Sequence, residues 1–394
     1  MADNEVIIEI EGNNLTDFIS GSVDIKFDQF CNSFSFTTTK DLGKEYNIFP
    51  EDECRIIING KVAMTGIIDT VSPSEDPNSS TVDVTGRDKT RDVVDSDLPE
   101  GISLSGNFTL VTVIQKVLTS LGLENDIKVI NELGSELRSF TQADIVSAEV
   151  DKNAFEFINE YAQKVSAILI TNADGNIVIT RAGKESYPDK LVNILGEGSE
   201  DNNIISSSAG YDYSQRFYKY IVYSQSNANT STQNVSISNV AQKGYAIDDE
   251  IRASRVMVQK ANNACSSQVC TEIATLEANI RRANSLQYSC DVYGYETNDG
   301  NLWQVNHLIE VYDEDCDIAS ELMIKGISFN LGEGAVTTLE FALADAYTLQ
   351  ASLDEVNGRT NKTKKSKTKK KRKGKKKKED KTLTDAEINK ILGF

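Results

Sequence analysis

The sequence predicts an α+β protein that is mainly β: two small antiparallel β-barrel domains, an α+β insertion between them, and a disordered basic C-terminal tail. Three observations carry this. First, a short β pattern occurs twice, at 55–88 (RIIINGKVAMTGIIDTV, a polar loop, TVDVTGRD) and at 308–345 (LIEVYDEDCDIASELMIKGISFN, LGEGAV, TTLEFALAD). Each copy has a strand, a polar turn and a strand with Met two or three residues before a Gly-Ile pair (Gly66-Ile67, Gly326-Ile327). A loop and a closing strand that starts at Thr81 or Thr338 and ends in Asp complete it. Second, the apolar spacing between the copies turns helical; third, apolar patterning stops after residue 354 and lysine takes over. Period-two alternation bounded by Gly, Asn and Asp marks half-buried antiparallel strands, so a repeat of such a unit implies internal pseudosymmetry.

In chain order, strands are expected at 6–11, 23–30, 34–39, 55–58, 61–70 and 81–87, with Asn59-Gly60 as a tight hairpin turn. These suffice for one small barrel, assigned to residues 1–98. From 109 to 122, Val113, Val117, Leu118 and Leu121 share one helical face and Gly122 stops the helix. A second helix over 154–165 leads into a hairpin, 167–170 and 177–180, across an NADGN turn. Residues 99–200 therefore read as a separate α+β domain. Strand character resumes at 217–224, followed by a polar excursion, NANTSTQNVSISNVAQ. A helix at 264–284 and strands at 288–293, 308–312, 322–330 and 336–342 then build the second barrel domain, 201–350.

The formal charge is partitioned. Residues 359–381 hold fifteen Lys and Arg against two acids and 382–394 carry a net −1, so the −19 of the whole chain leaves −31 on residues 1–358. A body that negative repels phosphate backbones, which makes it a poor nucleic-acid binder and a low-friction wall for one. The lysine run, 351–381, reads as a linker extended by self-repulsion. Order returns at 382–394, where Thr384 and Glu387 make a capping box and Ile388, Ile391 and Leu392 form an apolar stripe. The expected partner-binding residues are accordingly Lys364, Lys365, Lys369, Lys370, Lys371, Arg372, Lys373, Lys375 and Lys376, with Ile388, Ile391, Leu392 and Phe394 on the docking helix. The tail has three readings: solubilising disorder, a polyanion clamp, or a strap onto an acidic neighbour, and the helix after it favours the strap. A clamp meeting ten phosphates would show a log-log salt slope of roughly −9.

Candidate chemistry is sparse. No apolar stretch reaches 18 residues and the amino terminus is acidic, which predicts neither a membrane span nor a signal peptide. The six cysteines (Cys31, Cys54, Cys265, Cys270, Cys290, Cys316) contain no CxxC, so reduced and mostly buried thiols are expected. His307, the single histidine, reads as a structural strand-edge side chain. Asp313, Asp315 and Asp317 have the alternate spacing of a calcium loop, but Ile318 and Ile324 stand where the loop needs Gly and a bidentate Glu, so a solvated turn is favoured. Gly332-Glu333-Gly334 lacks the strand-to-helix context of a phosphate cradle. No catalytic, cofactor-binding or metal-binding residue is assigned.

At GRDKTRDVVDS (86–96), at LWQVNHLIEVYDED…ELMIKGISFNLGEGAVTTLEFALADAY, and in the helix-then-hairpin stretch AFEFINEYAQKVSAILITNADGNIVIT, the sequence resembles the Mu-type baseplate hub proteins of contractile-tailed phages, related to the late control gene D group. The resemblance spans most of residues 5–348; the basic tail and final helix lie outside it. It implies β-barrels of tail-tube type and a non-enzymatic homotrimer at the tail tip, joining a six-fold tail tube to a trimeric central spike within the virion, among other baseplate proteins. DNA would meet it only in passage through the channel, without stable membrane insertion, after assembly in the host cytoplasm. Three chains with two similar units each offer six quasi-equivalent units to the tube. The competing readings are an envelope-acting cell-wall hydrolase and a polyanion-binding adaptor using the basic tail. Sixty carboxylates make a suitably spaced acid pair uninformative for the first.

Overall fold

A computed structural model describes residues 4–344, apart from the segments 40–47, 77–78, 141–145, 149–151, 197–200, 225–241 and 262–266 and the single residues 105, 138, 166, 184 and 333. The first part is all β: β1 (Val6–Ile10), β2 (Asn13–Leu15), β3 (Phe18–Lys26), β4 (Ser33–Thr39), β5 (Glu53–Ile58), β6 (Lys61–Glu75) and β7 (Ser80–Asp88). Alternate residues of β4 and β5 are buried, as their period-two patterning requires. Asn59 and Gly60 turn β5 into β6 with φ of 51° and 74°, the left-handed pair that a two-residue hairpin of matching twist needs.

The middle stretch holds α1 (Arg91–Asp95), β8 (Ile102–Leu104), α2 (Leu110–Leu121), β9 (Val129–Asn131), β10 (Val146–Ala148), α3 (Ala154–Lys164), β11 (Ile168–Thr171) and β12 (Ile177–Thr180). The Thr109 hydroxyl accepts from the Thr112 N–H at the start of α2, and Gly122, at φ 74°, donates back to Leu118 and Thr119 at its end. The face with Leu110, Val113, Ile114, Val117 and Leu118 is buried against α3 and β9, each side chain contributing about 1.5–3 kcal/mol. Sequence periodicity places both helices and the β11–β12 hairpin within a few residues of where they lie.

The last part comprises β13 (Glu185–Asn193), β14 (Ile204–Tyr211), β15 (Lys219–Tyr223), β16 (Lys243–Ile247), β17 (Val256–Lys260), α4 (Ser267–Ala283), β18 (Leu286–Tyr293), β19 (His307–Asp313), β20 (Ile318–Leu331) and β21 (Val336–Ala342). Strands β15–β17 form a separate three-stranded sheet covered on one face by α4, with Tyr220, Val222, Cys270, Ile273 and Ala274 as its core. The polar excursion up to residue 241 and the lysine-rich and apolar partner-binding residues at 364–394 lie outside the described residues.

The two expected barrels take a different form. Among the described residues neither closes; both β units enter one 13-stranded sheet in which β3 hydrogen-bonds to β20. The reason is the length of β20. Its first half pairs with β19 and its second half, along the same edge, with β3, so the edge that might have closed one unit joins the two. A single apolar core runs through both, from Ile8 and Val23 to Leu339 and Phe341. Strand β13, N-terminal to the expected boundary at residue 200, lies parallel to β19.

Candidate functional site

The duplicated unit is the most informative site on the molecule. Register slips by one residue between Ile68 and Thr70 where β6 meets β7, and between Ile324 and Gly326 where β20 meets β21. A second pair of slips falls between Phe18 and Ser20 (β3 on β4) and between Ile204 and Ser206 (β14 on β18). A β-bulge pins register, because sliding by one residue would turn every side chain to the wrong face. Laying bulge on bulge sets Ile68 on Ile324, Gly86 on Phe341, Phe34 on Tyr288 and Phe18 on Ile204. The strand series β3–β4–β7–β6–β5 then repeats as β14–β18–β21–β20–β19, with Ile67 opposite Glu53 as Met323 is opposite Leu308. The Gly-Ile pairs that suggest the repeat in the sequence are not the equivalent residues: Gly66 falls on Leu322, and Gly326 on Thr70.

Side chains follow the same equivalence. Phe34 and Tyr288, Phe36 and Cys290, and Thr38 and Val292 are all buried pairs of positions. The two bulge isoleucines, Ile19 and Ile205, are both exposed, at 50% and 41%. Thr37 Oγ1 donates to Asp83 at 2.6 Å in the first unit, and Thr338 Oγ1 donates to Asp291 at 2.7 Å in the second, the same cross-strand pair with its members exchanged. Glycine is needed at Gly86, where a Cβ would stand 2.3 Å from the Phe34 ring and 2.5 Å from the Ile67 carbonyl oxygen.

The GRDKTRDVVDS segment builds the join between the first unit and the α+β stretch. Asp88, buried, accepts from the Asn32 N–H at 2.8 Å, the Thr90 N–H at 2.9 Å and the Thr171 hydroxyl at 2.7 Å. Asp69, the bulge residue of β6, takes Arg87 in a bidentate pair at 2.7 and 3.2 Å and Arg91 at 2.7 Å, while Arg87 also holds Asp95 and Arg91 holds Glu51. Burial pushes the Asp69 carboxyl up, but the hydrogen bonds from Arg87 and Arg91 outweigh it and hold the group below the ordinary carboxylate range.

His307 stacks on Tyr187 with ring centroids 4.6 Å apart, and its Nδ1 lies 3.2 Å from the Val305 carbonyl oxygen. It borders a cavity of about 390 Å³ with Trp303, Asn32, Asp88 and Thr171, at the meeting of the two units and the α+β stretch. Asp313 departs from the solvated turn expected for it: fully buried, it accepts from Tyr288 Oη at 2.8 Å, Asn193 Nδ2 at 2.9 Å and the Asp315 N–H at 3.1 Å, so it ties the β19–β20 turn to the core. Asp317 takes the left-handed turn position, φ 54°. Among the described residues no cluster of His, Cys, Asp or Glu has the arrangement of a metal site. Cys31, Cys54, Cys270 and Cys290 are buried free thiols and Cys316 is half-buried; burial, with Glu9 nearby, pushes the Cys54 thiol up to about 12, which leaves it unreactive.

A family model described as Mu phage baseplate assembly protein GpP-like, N-terminal, matches residues 5–88, the stretch from just before β1 to the end of β7. Over 360 residues the chain is 24% identical to baseplate hub protein gp44 of Escherichia phage Mu, covering 90% of this chain and 92% of that protein. The chain is similar to the Mu-type baseplate hub proteins. The fold of this chain recurs in the crystal structure of the 43 kDa tail protein of prophage MuSo2 from Shewanella oneidensis, with a TM-score of 0.71 at 22% identity, covering 87% of this chain and 99% of that one. It recurs again in a tail protein from Neisseria meningitidis MC58, with a TM-score of 0.69 at 18% identity and coverage of 88% and 98%. The sequence alone does not point to the Asp69–Arg87–Arg91 network or the β3–β20 joint. A charged residue inside the apolar run MTGIIDTV is the one local signal of the first; the second has none.

Proposed function

We propose that this chain is a structural baseplate hub of a contractile phage tail, acting as a homotrimer that adapts a six-fold tail tube to a three-fold central spike. The observation that carries the reading is the residue-level repetition of a five-strand unit, bulges included. Three chains of this kind present six similar β units around one axis, while the α+β stretch and the β15–β17 sheet occur once per chain and keep three-fold symmetry. One polypeptide can thereby meet both symmetries. The likeness to the phage Mu hub supports the placement at the baseplate. The excess negative charge of residues 1–358 suits a wall past which DNA slides without adhering.

Mass measurement of the purified full chain, alone and mixed with the tail-tube and spike proteins of its phage, tests the reading. A three-copy particle is expected. A particle that is monomeric in every mixture overturns it.

A further inference from the structure

Strands β15–β17 and α4 are inserted between β14 and β18, and their charge differs from that of the rest of the body. Residues 212–285 hold eight Lys and Arg against six Asp and Glu, a net +2, which leaves −33 on the remainder of residues 1–358. Most arginines of the insertion are engaged: Arg216 holds Asp248, Arg281 holds Glu277, Arg282 holds Glu250 and Arg255 lies over the Phe217 ring. Three lysines are not. Among the described residues Lys219, Lys243 and Lys260 hold no carboxylate, and the strand register puts all three on one face of the sheet.

Period-two alternation divides this sheet into two unlike faces. Tyr220 and Val222 of β15, with Ala246 and Met257 beside them, pack with α4 into the core. On the other face, Ile221 lies between Tyr245 and Val258, Lys219 between Ile247 and Val256, and Tyr223 between Lys243 and Lys260. Tyr245, Ile247, Val256 and Val258 are 41%, 46%, 46% and 62% exposed, and Lys219 Nζ stands 5.1 Å from the centroid of the Tyr245 ring. Large apolar side chains gathered on one solvent-facing surface mark a place where something binds.

Charge and shape select the occupant. The same face of a second copy is excluded, because it would set three unpaired lysines against three. A dry protein interface would bury the Lys219 ammonium, which stands on the middle strand beside Ile221, and interface cores are depleted in such charges. Nucleic-acid bases stack on π-faces, and of the six apolar side chains only Tyr223 and Tyr245 have one. An anionic bilayer surface accommodates every member: aliphatic side chains enter the boundary between headgroups and acyl chains, tyrosines sit at headgroup level, and lysine stems snorkel to the phosphates. We propose that the outer face of β15–β17 is a seat for an anionic phospholipid surface, occupied peripherally and reversibly, with no element inserted across it. This holds for one copy or for three.

The test uses a tryptophan on the face. Trp303 is the single tryptophan and is buried, so Tyr245→Trp in the full chain gives a reporter whose response to lipid is its own. The probe is vesicles of phosphatidylcholine and phosphatidylglycerol with brominated acyl chains. Emission of Y245W is expected to shift to the blue and to be quenched, whereas Y293W, at an exposed tyrosine of β18 outside the insertion, is not quenched. The lysines of 359–381 bind such vesicles by charge alone, but that attachment leaves a tryptophan at 245 in water. Within Y245W, K260Q is expected to lower the ratio of seated to unseated face about fivefold, and V258D to remove the quenching. If Y245W lacks the wild-type melting transition, V258W carries the reporter. An unquenched reporter on chain that sediments with the vesicles overturns the proposal, as does equal quenching at 245 and 293 or equal quenching by pure phosphatidylcholine. A blue shift with single-stranded oligothymidine and none with vesicles overturns it in favour of a nucleic-acid face.

Discussion

Asp69 shows how a single residue serves both backbone and electrostatics. As the bulge residue it interrupts the β6–β7 ladder, and its carboxylate draws Arg87 from the facing strand and Arg91 from α1 onto that irregularity. Because the folded-state carboxyl is held below its ordinary value of 3.8, the stabilisation is present above that pH and is lost as pH falls through the lower folded value. Asp69→Asn is expected to cost about 1–3 kcal/mol at neutral pH, as a charged hydrogen-bonded partner is removed from two guanidinium groups. It should also flatten the fall in melting temperature as pH drops below the ordinary carboxylate value of 3.8. An unchanged acid limb in the variant would show that the network does not couple to folding. Of these residues, GRDKTRDVVDS stands out in the sequence as a motif, but its function as a clamp depends on Asp69, Glu51, Asn32 and Thr171 being brought to it.

At the scale of strands, local patterning is legible and pairing is not. Alternation locates β4, β5, β7, β18, β19 and β21 to within a few residues, and Asn59-Gly60 specifies its hairpin. The length of β6 is understated by five residues because its last part, TVSPSE, is polar and contains a proline, as suits an edge.

Over the whole molecule, charge separates the chain into an acidic body and a basic segment. The +13 of residues 359–381 against −31 on residues 1–358 supports a tail that straps onto another acidic baseplate protein, with Ile388, Ile391, Leu392 and Phe394 as its apolar anchor. Removing residues 359–394 is expected to leave the thermal transition of the remaining chain unchanged and to weaken incorporation into baseplates, scored by electron microscopy of assembled tails. Full incorporation of the shortened chain would reject the strap.

What the sequence by itself determined is local: which segments are strands or helices, where the chain turns, that a β unit is present twice, and that the charge is divided. These depend on side-chain periodicity and turn chemistry, which neighbouring residues decide among themselves. Only the tertiary structure decided that the equivalent residues are Ile68 and Ile324, that the two units join through β3 and β20 instead of closing, and that Asp313 is buried. Register and pairing are chosen by bulges and by a core shared between residues some three hundred positions apart, and a single sequence holds no record of which distant edge a strand will meet.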